Sequence, residues 1–143
     1  MKSSETPQPR IVFFQVRDVA SKLKRIAETA KAHFEKKERF LIFVEDAKAQ
    51  DFVDELLWKS PESSFLPHSA ADEETKDWIA ITKGKRNING ARIAFNLCST
   101  PLLIEGPFRI IYDFEDLTAP NKKNLSSLRF DRYKEAHLLI EAR

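Results

Sequence analysis

The stretch Phe40-Leu41-Ile42-Phe43-Val44-Glu45-Asp46 decides the fold of this 143-residue chain. Its first five residues are all apolar, which is typical of a strand buried on both faces. Asp46 stands where a helix N-cap is expected, because its short carboxylate can accept from the backbone N–H groups that follow. Apolar residues then recur at helical spacing over 52–58, and Pro61 marks the end of that helix. The stretch therefore predicts a buried strand that leads directly into an amphipathic helix.

The same alternation of strand and helix extends to both sides of this stretch. Residues 11–16 form another buried strand-like run, and residues 19–37 have the apolar spacing of a helix capped by Asp18. A β-α-β-α order predicts parallel strands joined by right-handed crossovers. Further strands are predicted over 78–82, 91–97 and 109–114, and a last helix over about 121–140. We predict an α/β fold, a three-layer Rossmann-like open, mostly parallel sheet without a nucleotide-binding loop.

Composition sets limits on the class of protein. We expect a disordered tail over 1–9 and one domain over 10–143, which is long enough to bury a core. The formal net charge of +2 gives no strongly basic stripe for duplex DNA, although a local basic patch remains open. Cys98 is the single cysteine, which fits a reducing compartment, and no apolar run is long enough for a membrane span. The expected location is the cytoplasm.

Motifs for catalysis and cofactors are weak. The glycine patterns of nucleotide-binding loops are absent, and the three histidines have no metal-ligand spacing, so no cofactor or metal is predicted. Cys98 ends an apolar strand and is more simply a small core residue than a nucleophile. Glu45-Asp46 lies at a strand end, where a small α/β enzyme would place a site, with His68 as a further candidate. A capping Asp46 is the simpler interpretation.

A second open alternative is direct nucleic-acid binding. The turn Lys83-Gly84-Lys85-Arg86 and the last helix supply the cations for phosphate contacts. A short basic turn is more often solvated. Binding of single strands also needs aromatic residues on which the bases stack, and this turn contains none.

Aromatic and cationic residues suggest a pocket instead. Trp58 lies where a helix ends and Phe65 lies in the following loop, where it either fills the core or lines a pocket. In the last helix Arg132 falls within an apolar stripe, so its charge must snorkel or pair with an anion. Arg129 and Tyr133, four residues apart, adjoin it. Together these residues predict an aromatic pocket with a cationic rim, suited to an apolar side chain next to a carboxylate.

The segments that carry these features resemble the chi subunit of bacterial DNA polymerase III. The resemblance rests on residues 40–46, Asp54-Glu55-Leu56-Leu57-Trp58, the 61–68 segment and Arg132-Tyr133-Lys134. The order of strands and helices agrees over about residues 11–140. Such a resemblance implies a non-catalytic accessory protein of the replicase, with a Rossmann-like fold and no nucleotide site.

The resemblance also implies two partners and a set of contact residues. The chi family binds the acidic, Phe-ended C-terminal tail of single-stranded DNA-binding protein, and a psi subunit that links it to the clamp loader, so DNA contact is indirect. The family's tail pocket is matched by Trp58 and Phe65, and its rim by Tyr133 and Lys134. Phe130 stands where the family has a further rim Arg, so Arg129 or Arg132 is expected to substitute. Leu117 is a candidate pocket wall.

Overall fold

The fold is described from a computed structural model, which covers residues 8–60, 66–104 and 106–143. The elements are β1 (Arg10–Val16), α1 (Val19–Glu35), β2 (Phe40–Phe43), α2 (Ala47–Lys59), β3 (Ser69–Ala70), β4 (Ile79–Thr82), β5 (Ile93–Asn96), β6 (Ile110–Asp116), α3 (Pro120–Glu135) and β7 (Leu139–Ala142). Residues 1–7 lie outside the described residues, so the tail predicted over 1–9 stays a prediction.

The seven strands form one sheet in the order β3-β4-β2-β5-β6-β1-β7. Every neighbouring pair is parallel, which confirms the predicted open α/β sheet. Because all strands run in one direction, their first residues share one edge of the sheet, here called the amino edge. Their last residues share the opposite edge, here called the carboxyl edge.

Helices cover both faces of the sheet and give three layers. Phe40 and Ile42 of β2 pack in one apolar cluster with Ile26 of α1 and Leu57 of α2. The alternate residues of β2 face the other way, into a second cluster that contains Tyr133 of α3. Helices α1 and α2 therefore form the first layer, and α3 lies in the second layer on the opposite face.

The first two helices begin where the sequence predicts. Asp18 accepts from Ser21 N at 2.8 Å, and Asp46 accepts from Ala49 N at 2.9 Å. Each bond satisfies one of the backbone donors that a helix N-terminus leaves free. Both predicted caps are confirmed.

The last helix is shorter than predicted. It ends at Glu135 rather than near residue 140, because His137 adopts a left-handed backbone with φ of 61°. Leu138 N then donates to Tyr133 O at 3.2 Å, which closes the helix end. Residues 139–142 continue as β7 beside β1. The apolar residues at 139 and 140 therefore belong to an edge strand rather than to the predicted helix.

No helix among residues 8–60, 66–104 and 106–143 is both long and apolar enough to cross a membrane.

Candidate functional site

Trp58 is an exposed aromatic residue at the end of α2. Leu57 before it is fully buried, whereas Trp58 is 57% exposed. Its ring packs on the imidazole of His68, with the ring centroids 4.4 Å apart. The imidazole nitrogens of His68 lie 2.8 Å from Leu66 O and 3.2 Å from Asp54 O. His68 is thus a fixed support that holds the indole at the surface.

Phe65, the predicted partner of Trp58, lies outside the described residues. The charges around Trp58 come from its own helix. Asp51, Asp54 and Glu55 precede it by seven, four and three residues, so they share its side of α2. Glu55 pairs with Lys59 at 2.5 Å, and Asp54 Oδ1 lies 3.3 Å from His68 Nε2. The described residues on this side of α2 therefore include more acidic than basic side chains.

Arg129 is largely buried and bonds to the sheet. It is 7% exposed, and its Nε donates to Asp113 Oδ1 at 3.0 Å. Its other nitrogens donate to Phe114 O at 3.0 Å and to Ser99 O at 3.3 Å. These acceptors hold the guanidinium against the sheet, and the predicted rim role of Arg129 stays a prediction.

Tyr133 is also buried, with no exposed surface. Its hydroxyl donates to Asp113 Oδ2 at 2.8 Å and accepts from Leu102 N at 2.9 Å. Burial and the neighbouring carboxylate of Asp113 raise the pKa of Tyr133 well above its usual value. Through these bonds Tyr133 anchors α3 to the sheet and to the loop that contains Leu102. The predicted rim role of Tyr133 stays a prediction.

Asp113 is the centre of this buried polar network. Burial raises the pKa of its carboxyl group, whereas the Arg129 guanidinium and the Tyr133 hydroxyl stabilise the ionised form. Asn96 Nδ2 donates to Asp113 Oδ2 at 3.2 Å, and the Phe114 backbone N–H donates to Oδ1 at 2.7 Å. A carboxylate with four donors is satisfied as an anion. Sequence reasoning missed Asp113, because a single acid inside an apolar strand reads as an outward-facing residue.

Arg132 and Lys134 are the exposed cations of the predicted rim. They are two residues apart, so their side chains leave α3 about 200° apart around its axis. Arg132 follows the 60% exposed Leu128 by one turn, and Lys134 follows Phe130 in the same way. Phe130 packs on Phe13 with centroids 5.6 Å apart and stays 38% exposed. Each flank of α3 thus combines one cation with one exposed apolar side chain.

The structure does not bring Trp58 and the α3 residues into one pocket. All the helices run against the strands, so Trp58 and Arg132 both lie toward the amino edge. They are in different layers, however, because α2 and α3 pack on opposite faces of the sheet. Leu117 is half-buried after β6, and its N–H donates to Val16 O at 2.8 Å. Trp58 and the α3 residues thus lie on opposite faces of the sheet, and their assignment to one tail-binding site stays a prediction.

The alternative site at Glu45-Asp46 is occupied by structural contacts. Asp46 caps α2, and Glu45 Oε1 accepts from Ser99 N and Oγ at 2.8 and 2.7 Å. These bonds hold the pKa of Glu45 below its usual value. His68 lies near the amino edge, whereas Glu45 follows β2 at the carboxyl edge, so the two do not converge. In the described part of the chain, no group of three or more His, Cys, Asp or Glu residues could hold a metal.

A cleft of about 220 Å³ does open at the carboxyl edge, next to Glu45. Its charged side chains are largely engaged with one another. Lys22 pairs with Asp116 at 2.7 Å, and Arg129 pairs with Asp113. Cys98 lines the cleft, but burial raises the pKa of its thiol, which disfavours the nucleophilic thiolate.

The basic turn over 83–86 forms ion pairs within the chain. Lys83 Nζ donates to Asp72, and Arg86 lies 3.8 Å from Glu73 and 3.9 Å from Glu74. Two of its three cations are therefore engaged, and Lys85 is the exposed one without an ion pair among the described residues.

A comparison with known protein families gives one match. The family model described as DNA polymerase III chi subunit, HolC, matches residues 9–141 of the chain. No curated protein matches the chain.

Proposed function

The chain belongs to the DNA polymerase III chi subunit family, and from this premise we propose that it binds the acidic, Phe-ended C-terminal tail of single-stranded DNA-binding protein. The family is a non-catalytic accessory subunit of the replicase. We also propose a second partner, a psi-type subunit that links the chain to the clamp loader. An accessory protein that joins two partners needs two separate surfaces.

The exposed surface of α3 is the observation that carries the tail-binding proposal. Arg132 and Lys134 form no ion pair with the described residues, so both are available to an anionic ligand. Leu128 and Phe130 supply apolar surface one turn before them. A terminal carboxylate would accept charge-assisted hydrogen bonds from the cation of one flank, and the acidic residues of the tail would meet the other cation. The terminal Phe side chain would bury apolar area, which contributes about 1.5–3 kcal/mol.

The Trp58 surface suits the second partner better than the tail. Its aromatic ring is held outward by His68, and exposed aromatic residues are enriched at protein interfaces. The acidic residues around it would repel an acidic peptide. We therefore place the psi-type subunit at Trp58, on the first layer, and the tail at α3, on the second layer.

A peptide titration tests this division. A labelled peptide that ends in Asp-Phe-Pro-Phe should bind the wild-type chain, with an affinity that weakens as salt is raised. The double variant Arg132→Ala/Lys134→Ala should bind about tenfold more weakly, since each exposed ion pair contributes about 0.2–1 kcal/mol. Trp58→Ala is the matched control on the opposite layer and should bind like the wild type.

Two results would contradict the proposal in different ways. If the wild-type chain does not bind the peptide at low salt, tail binding is wrong. If Trp58→Ala loses binding and the double variant keeps it, the tail binds at α2 and the division of surfaces is wrong.

A further inference from the structure

The amino edge of the sheet carries a row of basic residues that no part of the proposed function uses. Each residue of the row lies at the start of its strand or immediately before it. In the order of the sheet, Trp78 (β4) is followed by the basic residues Arg39 (β2), Arg92 (β5), Arg109 (β6) and Arg10 (β1). The backbone bonds Phe40 N to Trp78 O (2.8 Å), Arg109 N to Arg92 O (2.7 Å) and Arg10 N to Arg109 O (2.8 Å) fix this order. Parallel strands lie about 4.8 Å apart, so the row is continuous across five strands.

Charge is concentrated at this edge. The segments at 10, 36–39, 76–78, 92 and 109 contain seven Lys and Arg residues but only two carboxylates, Glu38 and Asp77. The chain as a whole has a net charge of +2. The remaining residues therefore have a net negative charge, and the surplus at the amino edge comes from the placement of the cations rather than from composition.

Both of these carboxylates are already engaged, and Glu141 of the neighbouring β7 lies 3.6 Å from Arg10. Glu38 accepts from Arg109 Nη2 at 2.7 Å and lies 2.8 Å from His33 Nδ1. Asp77 accepts from the hydroxyls of Ser69 and Thr75. Lys76 and Arg92 are exposed, and among the described residues no carboxylate lies within ion-pair distance of either side chain. These two cations are free to meet an anionic ligand.

An aromatic ring stands at one end of the row. Trp78 is 37% exposed, and the guanidinium of Arg39 lies 4.6 Å from the centre of its ring. Arg39 also donates to the Lys76 carbonyl, so the pair is fixed to the backbone. A cationic row beside an exposed indole is the combination that single-stranded nucleic acids bind, with phosphates on the cations and a base on the ring.

We propose that the amino edge of the sheet binds single-stranded nucleic acid directly, through its phosphates along Lys76, Arg92 and the neighbouring arginines and through base stacking on Trp78. The site is separate from the 83–86 turn, which follows β4 at the carboxyl edge. It lies between the two layers that carry the proposed tail and psi-type surfaces. A chain held by the tail of single-stranded DNA-binding protein would thus present a basic edge to the nearby strand.

Fluorescence anisotropy with a labelled oligo-dT of about 15 nucleotides tests the proposal. Binding of the full chain should be weak, with a Kd of about 10⁻⁴–10⁻⁶ M, and should weaken steeply between about 50 and 200 mM salt. The double variant Lys76→Glu/Arg92→Glu should bind at least about tenfold more weakly, because both charges are reversed. Lys85→Glu/Arg86→Glu at the carboxyl edge is the matched control and should bind within about twofold of the wild type.

Tryptophan emission provides a second readout for the stacking contact. In a Trp58→Phe background, oligonucleotide should quench the emission of Trp78, and Trp78→Ala should weaken binding by about fivefold or more. Far-UV circular dichroism of each variant separates lost binding from lost folding.

Three outcomes would overturn the proposal. The first is no anisotropy change for the wild type at low salt. The second is an equal loss in the carboxyl-edge control, which would mean that binding follows total charge rather than this site. The third is complete displacement of the bound oligonucleotide when the Phe-ended peptide is added to the wild-type chain. That result would mean that the amino edge is a peptide-binding site. The tail-binding proposal is tested separately, by the peptide titration with the α3 variants.

Discussion

Helices α2 and α3 lie on opposite faces of one sheet, and they contact it through different kinds of side chain. Helix α2 buries Val53 and Leu57 in an apolar cluster. Helix α3 buries Ser126, Arg129 and Tyr133, two of which bond to Asp113 of β6. An apolar contact depends on area removed from water, whereas a buried polar contact depends on every partner being present. The apolar spacing of α2 therefore predicted Val53 and Leu57 as contact residues, although it also included Phe52, which is 54% exposed. No such spacing marks the buried polar contacts of α3.

The largest expected effect comes from removing the acid beneath α3. Asp113→Ala leaves the buried guanidinium of Arg129 without its counter-charge, and should lower the free energy of unfolding by about 3–5 kcal/mol. Urea denaturation followed by circular dichroism measures this loss. The double variant Asp113→Leu/Arg129→Met removes both charges and should recover most of the stability. If the double variant is no more stable than the single one, α3 is not held by this ion pair.

A smaller effect should follow from deleting one hydroxyl in the same contact. Tyr133→Phe leaves Leu102 N without its acceptor and removes one donor from Asp113, which should cost about 1–3 kcal/mol. The ring remains in place, so no cavity forms. Hydrogen exchange at Leu102 should accelerate in this variant, while amides of α2 keep their protection. Unchanged exchange at Leu102 would show that the loop is held by other contacts.

The smallest effect concerns His33, a titratable group that is buried beneath the first layer. His33 of α1 lies 2.7 Å from the Tyr112 hydroxyl and 2.8 Å from Glu38, with Lys36 and Arg109 as the nearby cations. Burial lowers the pKa of His33 in the folded chain, so the folded state favours the neutral ring. Stability is therefore complete above the unfolded pKa of about 6.5 and falls as the pH drops through it, by at most about 1.4 kcal/mol per pH unit.

His33→Gln provides the control for that pH dependence. Its free energy of unfolding should change less between about pH 6.5 and 5 than that of the wild type, since one group no longer gains a proton on unfolding. Glu38 also has a lowered pKa, chiefly through its bond to His33, and its contribution is lost only at lower pH, as the carboxylate is protonated. Equal slopes for both proteins over this range would mean that His33 does not carry the effect.

Part of the candidate site was predictable from the sequence. The apolar spacing of α2 and the stop at Pro61 place Trp58 at a helix end. The apolar spacing of the last helix likewise identifies Arg132 and Lys134 as cations of that helix. The burial of Arg129 and Tyr133 could not be predicted, since it depends on Asp113 from a different element. The basic row at the amino edge has no sequence pattern at all, because its residues are spread from Arg10 to Arg109.

The sequence by itself determined the buried strands, the capped helices and the parallel order of the sheet. These features follow from runs of apolar residues, short capping side chains and the handedness of crossovers, all of which act within a few residues or between consecutive elements. The tertiary structure alone decided which layer each helix occupies and which charges are buried. It also decided which cations meet at one edge. The physical reason is that charge pairing and burial are set by neighbours in space, and only the folded sheet brings those neighbours together.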